Sequence, residues 1–166
     1  STGNPDSVDN TQPDEQYDAF LIWEDGVFVD RISNLGMDNS AAGRAVVRGF
    51  LNDDWAMDLI VTNFGAESVV YEGVCTSNRG LSVELQGVDS NRFGVGARIV
   101  LETSSGVQTR FVGADTGWGS AIHPRAWFGI GASDEILGLL IDWPSGLTQR
   151  AEVEAGFAGR LIVVEG

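Results

Sequence analysis

Residues 90–98 read Ser90-Asn91-Arg92-Phe93-Gly94-Val95-Gly96-Ala97-Arg98, or SNRFGVGAR, and this stretch decides how the rest of the chain is read. A polar turn, Ser90, Asn91 and Arg92, precedes two glycines, Gly94 and Gly96, and then Arg98 opens the apolar run Ile99, Val100, Leu101. Glycine reaches positive φ or lets another backbone come close, and asparagine tolerates the left-handed region. A tightly specified turn feeding a buried strand accounts for all of these residues together.

Outward from the turn, the chain reads as strands. Leu81, Val83 and Leu85 alternate with Ser82, Glu84 and Gln86, the pattern of a half-buried strand. Residues 99–102 and 107–112 form a hairpin across Ser104, Ser105 and Gly106, and residues 128–130 are a short apolar strand. Residues 136–143 are almost continuously apolar, and the stop at Pro144 favours a central strand over a helix. The Pro144, Ser145, Gly146 turn leads to strands over 147–153 and 161–164. On the N-terminal side, residues 44–51, 57–63 and 68–71 are strand-like, and residues 20–23 and 27–32 form a hairpin around Glu24, Asp25 and Gly26. No amphipathic helix emerges. The fold class is all-β, with a compact antiparallel sandwich or barrel-like domain as its main body.

Four motifs in order resemble the ASPIC/UnbV signature: SNRFGVGAR with Gln108 and Arg110, then Gly117, Trp118, Gly119 and Ser120, then Trp127, Phe128, Gly129, Ile130 and Gly131, and last Trp143, Pro144, Ser145 and Gly146. The resemblance covers residues 81–166 and marks Ser90, Asn91, Arg92, Gly94, Gly96, Arg98, Gly129, Gly131, Trp143, Pro144 and Gly146 as structural signature positions. Upstream, residues 17–72 look like a single FG-GAP/VCBS repeat, of the kind that supplies one four-stranded propeller blade. One blade cannot close a ring, so the N-terminal sheet is expected to be an incomplete blade needing cover from the rest of the chain or from another subunit. The resemblance implies an extracellular or cell-surface protein, similar to cartilage acidic protein-like and bacterial or archaeal surface proteins. It carries no defined activity.

The resemblance also brings a calcium loop. Its ligand positions fall on Phe50, Asn52, Asp54, Trp55 and Asp58, so the first ligand is a phenylalanine and the turn glycine a tryptophan. Asn52, Asp54 and Asp58 remain as candidate ligands for calcium, which takes six to eight hard oxygens. The other reading is an acidic turn whose side chains bond nearby amides.

Composition narrows the function classes. The 166 residues carry a net charge of −14, and all ten basic residues are arginine. Such a surface repels phosphate backbones and anionic headgroups, which argues against nucleic-acid binding and membrane insertion. No run of 18 apolar residues occurs. Cys75 is the only cysteine, so no intramolecular disulfide forms. Residues 1–16 are polar, without apolar period, and read as a flexible or partner-bound arm of a mature or excised form.

Catalytic chemistry finds little support. With 24 carboxylates, neighbours such as Asp134 and Glu135 arise by chance and do not make a glycosidase pair. His123 is the only histidine, and Ser145 lacks the Gly-x-Ser-x-Gly elbow. Zinc would need several His or Cys ligands. The expectation is therefore no enzyme and no catalytic residue. Trp118, Trp127, Trp55, Tyr17 and Phe93 are candidate interface or binding aromatics, since they bring large area with few polar atoms. Two functions follow: self-association into a homo-oligomer or polymer through edge strands, the arm and aromatic contacts, or a glycan- or matrix-binding adhesion module, calcium-assisted, using the glycine-rich loop 113–119.

Overall fold

The structure is a computed structural model that describes residues 18–52, 54, 56–74, 77–113, 120–132 and 134–166. Among the described residues, twelve strands run β1 Leu21–Glu24, β2 Val27–Asp30, β3 Gly43–Gly49, β4 Asp58–Asn63, β5 Val69–Tyr71, β6 Arg79–Gln86, β7 Arg98–Thr103, β8 Gly106–Phe111, β9 Ala126–Ile130, β10 Ile136–Asp142, β11 Thr148–Ala151 and β12 Gly159–Val164. A single 3-10 turn, Ser33–Leu35, is the one helical element among the described residues. The protein is all-β, and its larger part is a sandwich.

The sandwich pairs a four-stranded sheet, β11-β10-β7-β8, with a three-stranded one, β12-β6-β9. Alternation places Leu81, Val83 and Leu85 of β6 opposite Ile99 and Leu101 of β7 and Leu139 and Ile141 of β10, all buried with Phe128 and Trp143 between the layers. The apolar run after residue 136 is indeed a central strand, β10, flanked by β7 and β11. One pairing departs from the antiparallel expectation. β12 lies parallel to β6, Gly159 opposite Leu81 through Val164 opposite Gln86. The long path from β6 to β12 through the other sheet makes that direction available, as parallel neighbours require a long connection.

Strands β1 to β5 form separate sheets, β1-β2 and β3-β4-β5. The hairpin turns at Asp25 and Gly26, both at positive φ (47° and 86°), as a two-residue turn compatible with strand twist demands. It does not join β3 to complete a four-stranded blade. Asp30 Oδ1 accepts the amides of both Phe20 and Ile32, at 3.1 and 3.0 Å, which ends β2 and sends the chain into the 3-10 turn. Asn39, nearly buried, then ties the segment down by donating to Asp18 Oδ2 (2.7 Å) and Asn63 Oδ1 (3.0 Å).

Burial is very unequal between the two parts. Among the described residues, Ala42 and Val61 are the only fully buried hydrophobics before β6, and every other one belongs to the sandwich.

Candidate functional site

The SNRFGVGAR loop is held by a carboxylate from the far end of the chain. Glu165 Oε2 accepts the amides of Val88, Asp89 and Ser90 at 2.8, 2.9 and 2.7 Å, and its Oε1 accepts the Ser90 and Ser145 hydroxyls. Burial alone would push this carboxyl up. The hydrogen bonds from Ser145, Ser90 and Val88 outweigh it and lower the pKa to about 2. Ser90 and Ser145 thus serve one acceptor, and the Pro144-Ser145-Gly146 turn is pinned against the loop when the Ser145 amide donates to Ser90 Oγ.

The remaining signature positions have equally concrete tasks. Asn91 clasps Val95, its Nδ2 donating to the carbonyl and its Oδ1 accepting the amide, at 2.8 and 2.9 Å. Gly94 adopts φ 61° with its Cα against Leu85, and Gly96 sits at φ 97°. Arg98 grips Asp142 through Nε (2.8 Å) and Nη2 (2.6 Å); with the Thr148 hydroxyl, it holds that carboxyl below the ordinary range. Gln108 and Arg110 reach across the sandwich to the carbonyls of Gly129 and Trp127. Trp143 is a core residue whose Nε1 donates to Gln149, and Gly131 closely approaches the Asp134 carboxylate.

Beside this loop lies a cleft of about 360 Å³, lined by Glu84, Gln86, Arg92, Phe93, His123 and Arg160 together with Leu85 and Gly87. Glu84 projects from the outer face of β6 and is nearly buried between two guanidinium groups, Arg125 at 2.7 Å from Oε1 and Arg160 on Oε2. The Arg92 guanidinium lies 5.4 Å from the Phe93 ring centroid, and the Phe93 and His123 rings meet edge to face at 5.5 Å. Nothing in the spacing of residues 84, 92, 123 and 160 announces this cluster. The parallel placement of β12 beside β6 is what brings Arg160 to Glu84.

Of the aromatics singled out from sequence, Phe93 lines this cleft. Trp127 is half-buried and turned to internal use, with Phe50 edge-on at 4.7 Å and the Arg125 guanidinium 5.3 Å above its ring. It therefore fastens the segment before β4 to the outer face of the sandwich. Tyr17, Trp55 and Trp118 lie outside the described residues, as do Cys75, residues 1–16 and most of loop 113–119.

The acidic loop before β4 is built on amides. Asp58, 1% exposed, accepts the Leu51 amide on Oδ2 (2.7 Å) and the Gly73 amide on Oδ1 (2.8 Å). Asn52 Oδ1 accepts the Asp54 amide and Asp54 Oδ1 the Ala56 amide, two successive turns of the Asx kind. Among the described residues, no three His, Cys, Asp or Glu side chains converge where a cation could sit. Asp58→Asn should cost about 2 kcal/mol, because one charged acceptor is replaced by a donor facing an amide. Denaturant melts check it, with equal loss expected in calcium and in chelator. A loss confined to calcium would make Asp58 a ligand instead.

Residues 87–162 match the family model described as ASPIC and UnbV, a segment that runs from the loop after β6 into β12. The matched segment begins at the loop that Glu165 holds and ends three residues before Glu165 itself. No curated protein matches the chain.

Proposed function

We propose that this chain is a non-catalytic structural protein of the cell surface or extracellular space, self-associating into a layer, sheath or filament. In this reading residues 17–72 act as a single FG-GAP/VCBS-type blade that a second copy covers. The unequal burial carries the proposal. While the N-terminal part encloses almost no core, one face of its hairpin leaves Leu21, Trp23 and Phe28 between 57% and 67% exposed. A two-stranded hairpin is marginal on its own, and contiguous apolar surface of this kind marks a docking face. Trp23 and Phe28 pack edge to face at 4.8 Å and form one aromatic knob, with large area and little side-chain entropy to lose.

The chain itself offers receiving edges. β8 ends its sheet with Val107 and Phe111 exposed at 66% and 71%, and β3 and β5 end theirs. A hairpin seated on a different surface of the next copy is a head-to-tail contact, which propagates unless it closes into a ring.

At −14 per copy the subunits repel, so association should strengthen as salt rises from ~0.05 M to ~1 M, where the Debye length falls to about 3 Å. Light scattering and negative-stain imaging across that series should show growing ordered assemblies, and Phe28→Asp should return the protein to monomer at every salt. A wild-type monomer at high concentration throughout, with and without calcium, would discard the proposal.

A further inference from the structure

We infer that the cleft between β6, β12 and the SNRFGVGAR loop is a binding site for a carboxylate carried on a sugar ring, a uronate residue of an acidic saccharide. This goes beyond the self-association reading and does not depend on it.

The argument starts from charge. In a chain of net −14 with only ten arginines, Arg92, Arg160 and the sole histidine line one cleft with the buried Glu84, whose other oxygen is taken by Arg125 outside the lining. Glu84 offsets one of the two arginines of the lining, which leaves the cleft cationic by about one charge in a chain of net −14. Glu84 also fixes the two guanidinium planes that it bridges, and a preorganised fork loses less entropy on meeting a planar oxyanion. Arg92 completes the set without a carboxylate partner of its own among the described residues.

Shape and rigidity point the same way. The volume, about 360 Å³, falls in the range of small-ligand sites, roughly 300–1,000 Å³. Phe93, 40% exposed, offers an aromatic surface beside the cations, the usual platform for the C–H face of a sugar ring, and Gln86 adds an amide for hydroxyls. Arg92 and Phe93 sit between two locked points, the Glu165 clasp before them and Gly94 after them. Residues held so firmly and yet turned to solvent meet the requirement of a precise site on a rigid support.

The test uses the whole chain with a galacturonate trisaccharide, the corresponding neutral galactose trisaccharide, and acetate. Calorimetry and histidine-ring NMR shifts should show saturable binding of the uronate that moves the His123 signals and weakens at least tenfold from ~0.05 to ~0.5 M salt. Arg92→Gln, which removes no ion pair among the described residues, should reduce affinity about tenfold, and Arg92→Lys should recover only part of it because the planar fork is lost. Absence of uronate binding would overturn the inference. So would affinity unchanged by Arg92→Gln, equal binding of the neutral trisaccharide, or acetate binding as tightly as the uronate.

Discussion

Glu165→Gln should lower the thermal midpoint on the order of 10 °C, and Glu165→Ala should lower it further. The glutamine amide nitrogen would face donors wherever it points, either the three amides of Val88, Asp89 and Ser90 or the hydroxyls of Ser90 and Ser145. One oxygen cannot serve both groups. Scanning calorimetry reads the global loss, and hydrogen exchange at the Val88, Asp89 and Ser90 amides reads it locally, with protection expected to fall there first. Unchanged protection at those amides would mean that the carboxylate does not hold the loop.

The same clasp sets an acid limit. Folding holds the Glu165 carboxyl at about 2 against an ordinary value of 4.5, so its folded pKa is depressed. Stabilisation from this group is complete above about pH 4.5 and drains away as pH falls toward 2, because the unfolded chain then binds the proton more readily. Wild type should therefore lose its advantage over Glu165→Gln across that window, and the two melting curves should converge at its acid end. Divergence on acidification would contradict the assigned sign.

The parts of this fold written in the sequence are those governed by short-range rules. Alternation at Leu81, Val83 and Leu85 marks the strand and its core face, although Ser82 and Glu84 on the face expected to be open are buried too; the Asp25-Gly26 pair marks a two-residue hairpin turn, and the run ending at Pro144 marks a central strand. Long-range choices leave no such mark. That Glu165 would meet Ser90 across 75 residues depends on β12 entering parallel to β6, and periodicity is blind to strand order. The cleft was illegible for the same reason: its arginines come from a loop and a strand. Nor does periodicity say that the β1-β2 hairpin stays a sheet of its own beside β3-β4-β5, with the Asp30 side chain spent on two local amides at its end. Asn52, Asp54 and Asp58 accept amides, a use that sequence alone does not distinguish from oxygens placed for a cation.

Gly94→Ala should cost about 2–5 kcal/mol, from overpacking of about 1–3 and left-handed strain of about 1–2. At φ 61° the new Cβ would stand 2.7 Å from Leu85 Cδ1 and 2.8 Å from Leu85 Cβ. The Cδ1 can rotate away, but the Cβ is fixed to β6, where Leu85 is buried and paired with Val163. Either the loop lifts or the sheet moves. Gly96→Ala is the matched control, because φ 97° imposes comparable strain while the nearest atom, Pro144 Cγ, lies an ordinary 3.7 Å off. It should cost only about 1–2 kcal/mol. Denaturant unfolding of both variants separates the two contributions, and equal losses would show that Leu85 is not the obstacle. A loop lifted at Gly94 also carries Phe93 and Arg92 with it, so Gly94→Ala should lose uronate binding even where the protein remains folded, whereas Gly96→Ala should retain it.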